Sequence, residues 1–258
     1  MDTWDAGELY EQYMGRWSRR ISGDFLRWLD AGVGRRWLDV GCGTGALTAE
    51  VVRTARPTAA VGVDASAAFV DSARRTVEGA TFDVGDAARL AYGDRAFDVC
   101  VSALALNFVP DPAGAIGHMR RVTADGGVVG AYVWDYARGM QMLRFFWDAA
   151  VDVDPAAETL DEARRFPLCE EGALADAFRA AGIDAVERRA LTTATVFTSF
   201  DQLWQPFLSG QGPAPSYVAG LAPLHREALA SRLRERLPIG PDGAIALTAT
   251  AWAVKGRA

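Results

Sequence analysis

"WLDVGCGTGALT", Trp37 to Thr48, runs from an apolar strand through a glycine-rich turn into a helix. Glycine has no Cβ and can take positive φ, so such a turn brings backbone N–H groups close to a ligand. Gly41, Gly43 and Ala46 satisfy the G-x-G-x-x-G/A dinucleotide fingerprint. The stretch fits either a phosphate cradle or a loop for a ligand without phosphate, and the residues around it separate the two.

Strand-like and helix-like segments alternate from about residue 20 to residue 134, the pattern of a parallel sheet with helices on both faces. "RRWLDV", "AAVGVDAS", "ATFDVGDAARL", "FDVCVSALAL" and "DGGVVGAYVWDY" read as five successive strands. The fourth is apolar on both faces, as a central strand should be. "DAVERRALTTATVF" is a further strand candidate rich in β-branched residues, and "GAIALTATAWAVKGR" alternates as a last strand does. The segments 137–168 and 199–238 break the rhythm, and loops of that length are more often lids or binding loops than filler. With no repeat or linker, residues 1–258 read as one domain: N-terminal lid helices over 1–34, a core over 35–135, two cap insertions, and a closing strand over 239–258.

Half of the 258 residues are hydrophobic and 23% are charged, a globular composition with no apolar run long enough for a membrane span. The net charge of −6 and scattered arginine pairs such as Arg19-Arg20 and Arg188-Arg189 argue against nucleic acid. Lys255 is the only lysine, a bias of composition rather than a binding feature. Cys42, Cys100 and Cys169 have no metal-like or CxxC spacing, which fits a reduced, cytoplasmic setting and no metal. The first twenty residues lack the basic start and apolar centre of a signal peptide.

Four signals fall at the ends of successive strands, where open α/β sheets bind ligands. Asp39 stands two positions before Gly41; a carboxylate there suits an ammonium group and would repel a pyrophosphate. Asp64, at the end of the second strand, can accept from both ribose hydroxyls of any nucleoside. Asp86 can accept from an adenine amine while the Ala87 N–H meets a ring nitrogen. Ser102 to Leu106 are small or apolar and can lie along a ligand, with Asn107 as the polar exception. A run of acids with no base aimed at a phosphate points to a cationic, phosphate-free nucleoside.

"LDVGCGTG", "VGVDAS", "GDAARL", "FDVCVSALALNFVPDP" and "ADGGVVGAYVW", in this order, resemble the class I S-adenosylmethionine-dependent methyltransferases, especially the branch with ubiquinone/menaquinone-biosynthesis enzymes and many small-molecule methyltransferases. The resemblance covers about residues 35–135 and extends weakly to "EEGALADAFRAAGI" and "IALTATAWAV". It implies a doubly wound, mostly parallel seven-stranded sheet with an antiparallel closing strand, S-adenosylmethionine as cofactor, and a small-molecule acceptor. It also implies that Gly41, Gly43 and Gly45 pass the backbone under the methionine part, with Asp39 near its ammonium group. Asp64, with Ala65 beside it, would hold the ribose, Asp86 and Ala87 the adenine, and the Ala103 backbone would lie near the sulfonium. Many relatives carry histidines where this chain has Asn107-Phe108, so a role resting on such a histidine does not transfer. "YEQYMGRWSRR" looks like the helix that folds over the cofactor in similar enzymes: Tyr13 and Trp17 share a face, and Arg16 could reach the cofactor carboxylate. Packing on the sheet edge is the alternative reading of that helix.

Methyl transfer from a sulfonium needs alignment and dryness more than a catalytic group, and positioning contributes roughly 7–11 kcal/mol in good cases. A base is needed only for an acidic nucleophile. Asp135 and Tyr136 follow the fifth strand and, with Asn107, are the candidates for direct roles; Asp135 fits loop capping equally well. His118 and His225 lack a partner motif and read as structural or surface residues, and Cys42 as a small apolar filler. Phe145, Phe146, Trp147, Trp204, Phe207 and Tyr217 line either a pocket or the core, and exposed cap aromatics also fit a homodimer contact. Two rival functions stay open: a nicotinamide-dependent oxidoreductase, on the literal fingerprint, and a cofactor binder that moves no methyl group.

Overall fold

A computed structural model describes residues 16–210 and 212–258, with the side chain of Arg16 outside the description. Tyr13 lies outside the described residues. The chain divides into two compact units. One comprises Ser18–Val133, Leu168–Leu191 and Ala251–Ala258; the other comprises the described residues up to Trp17, Trp134–Pro167 and Thr192–Thr250.

The strands are β1 (Arg36–Val40), β2 (Ala59–Asp64), β3 (Thr81–Val84), β4 (Phe97–Ala103), β5 (Thr123–Trp134), β6 (Asp184–Phe197) and β7 (Ile245–Arg257). They form one seven-stranded sheet in the order β3-β2-β1-β4-β5-β7-β6. The pairs β1–β2, β1–β4, β2–β3 and β4–β5 are parallel. Gly126 at the start of β5 bonds to Ala258, whereas Asp135 just past its end bonds to Thr250, so β7 runs against β5. The sheet is thus the doubly wound, mostly parallel one expected, with an antiparallel closing strand. The chain winds outward from β1 through β2 to β3, then returns to β4 on the other side of β1. Ligands in such sheets bind where the winding reverses, beyond the carboxyl ends of β1 and β4.

Helices α1 (Arg16–Leu29), α2 (Ala46–Ala55), α3 (Ala67–Thr76), α4 (Pro112–Val122) and α7 (Ala173–Ala180) accompany the sheet. In α1, Ile21, Phe25 and Leu29 repeat every four residues and are buried, which gives the helix one apolar face. That face meets β5: a Cβ on Gly130 would lie 2.6 Å from Leu29 Cδ1 and 3.1 Å from Phe25 Cζ, and the Phe25 and Tyr132 rings are 4.8 Å apart. Glycine at 130 lets the helix approach the strand.

The second unit holds α5 (Gln141–Val153), α6 (Glu162–Arg165), α8 (Phe200–Trp204), α9 (Pro213–Gly220) and α10 (Pro223–Arg236). Phe146, Trp147 and Phe207 are fully buried, with Phe146 stacked on Phe207 at 4.4 Å. These aromatics are core. Trp17 is also buried, with its ring edge-on to Phe197 at 5.6 Å. Among the described residues, no helix is long and apolar enough to cross a membrane, and no group of His, Cys, Asp or Glu side chains is placed to hold a metal.

Candidate functional site

The turn after β1 is built on three left-handed glycines, with φ of +72° at Gly41, +54° at Gly43 and +87° at Gly45. Each does a different job. At Gly41 a Cβ would lie 2.3 Å from the Ala105 Cβ, so glycine there lets the loop after β4 close on the loop after β1. At Gly45 a Cβ would meet Val77 and Ala73, because this residue is the N-cap of α2 and packs on α3. At Gly43 a Cβ would meet nothing among the described residues within 4 Å, and to them that face of the turn is open.

Backbone hydrogen bonds tie the turn to the end of β2. The N–H groups of Gly41 and Cys42 both donate to the Val63 carbonyl, at 2.8 and 3.1 Å. Asp64 completes the tie: its Oδ2 accepts from the Gly43 N–H at 2.9 Å and its Oδ1 from the Ser66 N–H at 2.9 Å. Ser66 in turn caps α3 by accepting from the Phe69 N–H. Cys42 points away from the open face and packs with Val70, Ala73 and Phe82; burial pushes its thiol far up, so it is the inert filler expected.

Asp39 is the unusual member. Its side chain is 2% exposed in β1, and Oδ2 accepts from the Thr48 hydroxyl at 2.7 Å. Its Oδ1 is buried with no partner. Burial raises its carboxyl to about 7 against the opposing hydrogen bonds from Thr48, and the nearby Asp64 charge pushes the same way. A buried acceptor without a donor costs about 1–3 kcal/mol, more when charged. A cationic donor at Oδ1 would remove that cost.

The remaining positions fall on neighbouring strand ends of the same unit. The Gly85 N–H donates to the Asp64 carbonyl at 2.9 Å, which brings the end of β3 beside that of β2. Asp86 follows, exposed, with Oδ1 accepting from the Ala88 N–H at 2.9 Å, so that it caps the 3-10 turn Ala87–Arg89. Ala65 is exposed between Asp64 and Ser66. Beyond Ala103, Leu104 takes a left-handed φ of +57°, held by its N–H bond to the Tyr132 carbonyl at 2.8 Å. A leucine held there is strained, and such strain concentrates at functional turns. Two polar atoms in this region are buried without partners, Ser102 Oγ and Asn107 Nδ2.

Asp135 and Tyr136 belong to the second unit. Asp135 Oδ1 accepts from the Arg138 N–H at 3.0 Å and its carbonyl from the Met140 N–H at 2.8 Å, the capping arrangement that the sequence offered as an alternative to catalysis. The Tyr136 ring lies 5.8 Å from that of Phe166. His118 shares its Nδ1 with Arg121 on its own helix, and His225 is exposed.

The residues around the turn fit S-adenosylmethionine in kind: an orphaned buried carboxylate oxygen for an ammonium, an open glycine face, and a second carboxylate with a lone pair left on each oxygen. Residues 38–130 match the family described as "Methyltransferase domain". Over that stretch the chain is similar to a methyltransferase domain, and its sheet has the fold of that family. Over 117 residues it is 32% identical to the ubiquinone/menaquinone biosynthesis C-methyltransferase UbiE of Bdellovibrio bacteriovorus, covering 44% of this chain and 48% of that enzyme. The chain spans less than half the length of the curated relatives it matches. Among solved structures, phosphoethanolamine N-methyltransferase 2 of Haemonchus contortus, in complex with phosphomonomethylethanolamine and S-adenosylhomocysteine, is similar with a TM-score of 0.59 and 15% identity. The match covers 97% of this chain and 56% of that one. The [4+2]-cyclase SpnF is similar with a TM-score of 0.54 and 20% identity, over 93% of this chain and 81% of that one. At these identities the two structures show the methyltransferase fold alone.

Sequence reasoning passed over Thr48 and Ser66, and placed Leu104 only within the run that can lie along a ligand. Ser66 had a readable signal, a serine just before a helix. Thr48 and Leu104 had none, because one contact and one strained φ exist only in the folded unit.

Proposed function

We propose that the protein binds S-adenosylmethionine at the loops that follow β1 to β4 and transfers its methyl group to a small-molecule acceptor. The observation that carries this reading is Asp39 Oδ1, buried without a donor in the turn whose Gly43 face is open. The bound cofactor would supply a methyl group already activated by a sulfonium, which an acceptor atom takes by in-line displacement.

The chain's own residues would bind and orient. Asp39 would take the cofactor ammonium group, and the open face at Gly43 would let the backbone run close beneath the methionine part. Asp64, already fixed by two backbone donors, would accept from the ribose hydroxyls with its remaining lone pairs. Asp86 and the Ala87 N–H would read the adenine. The Ala103 backbone would lie by the sulfonium. Asn107 would offer Nδ2 as a donor to the acceptor molecule. The ubiquinone/menaquinone-type relative supports a small organic acceptor.

Incubating the protein with methyl-labelled S-adenosylmethionine and small-molecule extracts tests the reading. Label in a small organic product supports it. Saturable cofactor binding with no labelled product across many extracts would favour a fold that holds the nucleoside without moving a methyl group.

A further inference from the structure

We propose that Thr48 is a positioning residue for the cofactor: its hydroxyl holds Oδ2 of Asp39, so that the carboxylate presents Oδ1 to the cofactor ammonium group. This rests on the S-adenosylmethionine reading above. Thr48 lies in the first turn of α2, nine residues past Asp39, and is itself 1% exposed. The 2.7 Å hydrogen bond joins two side chains that are both out of water. One oxygen of the carboxylate is thereby occupied by the protein and the other left bare. A β-branched side chain in a helix has few χ1 choices, so the donor stays where the helix puts it.

The bond also sets the charge on Asp39. Among the described residues, the groups that face this carboxylate are Asp64 at the end of β2, Cys42 in the turn and Cys100 in β4. Burial pushes both thiols up and keeps them protonated, so Asp64 is the charged neighbour, and it opposes ionisation of Asp39. Thr48, through its hydroxyl and its backbone N–H, supplies the hydrogen bonds that favour the ionised form. Valine at 48 would keep the shape and remove the hydroxyl. Asp39 would then hold its proton to higher pH, and a neutral acid offers an ammonium group no charge.

The test is calorimetric titration of S-adenosylhomocysteine from pH 6 to 9 into wild type, Thr48→Val and Thr48→Ser, each checked for folding by circular dichroism. Thr48→Val should bind about tenfold more weakly at pH 7, with the pH midpoint of binding moved upward by roughly one to two units. The gap should narrow toward high pH, and Thr48→Ser, which keeps the donor, should stay near wild type. Should Thr48→Val not fold, Thr48→Cys replaces it, a side chain of similar size and a poor donor. The proposal is overturned by a Val variant that binds like wild type at every pH, by a loss with no change in midpoint, or by a Ser variant as weak as the Val variant. Absence of binding by wild type overturns the cofactor reading itself, and this proposal with it.

Discussion

The Gly43 N–H donates to Asp64 Oδ2 at 2.9 Å, so one carboxylate at the end of β2 fixes the open turn after β1. The same carboxylate is the proposed ribose acceptor, and its loss should act twice, on the shape of the turn and on the ligand contact. Asp64→Ala should weaken S-adenosylhomocysteine binding by about tenfold to a hundredfold, as expected for one or two hydrogen bonds to a charged group. Asp64→Asn, which keeps one acceptor, should lose less. Equal affinities for Asp64→Ala and wild type by calorimetry would remove Asp64 from the site.

Gly41 and Gly43 should respond differently to alanine. Both have positive φ, which costs roughly 1–2 kcal/mol for a residue with a Cβ. Only Gly41 adds a clash, with the Ala105 Cβ at 2.3 Å. Thermal unfolding should therefore show Gly41→Ala destabilised by more than Gly43→Ala. Cofactor binding should reverse the emphasis: Gly43→Ala should fold well yet bind poorly, because its Cβ enters the open face. A Gly43→Ala protein that binds normally would show that no ligand uses that face.

Asp39 makes binding pH-dependent. Its carboxyl is raised to about 7 by burial, and a cationic ligand at Oδ1 would bring it down again. Affinity is then full above pH 7 and is lost as pH falls through 7, by roughly tenfold per unit until the value in the complex is reached. Asp39→Asn should be weak at every pH and should flatten this profile between pH 6 and 8. A wild-type profile that is flat over that range would mean that Asp39 does not meet the ligand.

Glu162 offers a stability test away from the cofactor. It is 2% exposed, accepts from the Trp147 indole N–H, and is raised from 4.5 to about 7, chiefly by burial, with Asp161 raising and Arg144 lowering it. The folded state thus binds the proton more tightly than the unfolded state. Stability is highest below the unfolded value of 4.5, falls as pH rises toward 7, and is level above; the total is on the order of 3 kcal/mol. Glu162→Gln carries no charge to bury and should gain on wild type as pH rises from 5 to 8. Parallel melting curves for the two proteins across that range would place the carboxylate in water.

The sequence made the sheet legible because its strands advertise themselves. The β-branched run from Asp184 to Phe197 coincides with β6, and the apolar run that includes Cys100 and Val101 is buried in β4. The acids at strand ends were legible too, since Asp39 and Asp64 sit at fixed offsets from the glycines. What stayed hidden depends on tertiary contact. Thr48 reads as an ordinary helix residue until its hydroxyl is seen on Asp39, and Glu162 reads as a surface charge until Trp147 is seen to cover it. Leu104 holds a left-handed φ with none of the glycine or asparagine that marks such turns. The irregular segments at 137–168 and 199–238, except for Leu168, fall within the second unit, yet that unit begins at Trp134 and Thr192, inside β5 and β6. A strand that passes from one unit into another keeps its alternation, so the sequence carries no mark at the boundary.

The central claim is that the Asp39 carboxylate and the turn after β1 hold S-adenosylmethionine. Calorimetric titration of S-adenosylhomocysteine into wild type and Asp39→Asn at pH 8, with NADH as control ligand, tests it most directly. The account predicts saturable single-site binding by wild type, at least about tenfold weaker binding by the variant, and no binding of NADH. No heat with S-adenosylhomocysteine at millimolar concentration, or equal affinity for both proteins, would contradict it.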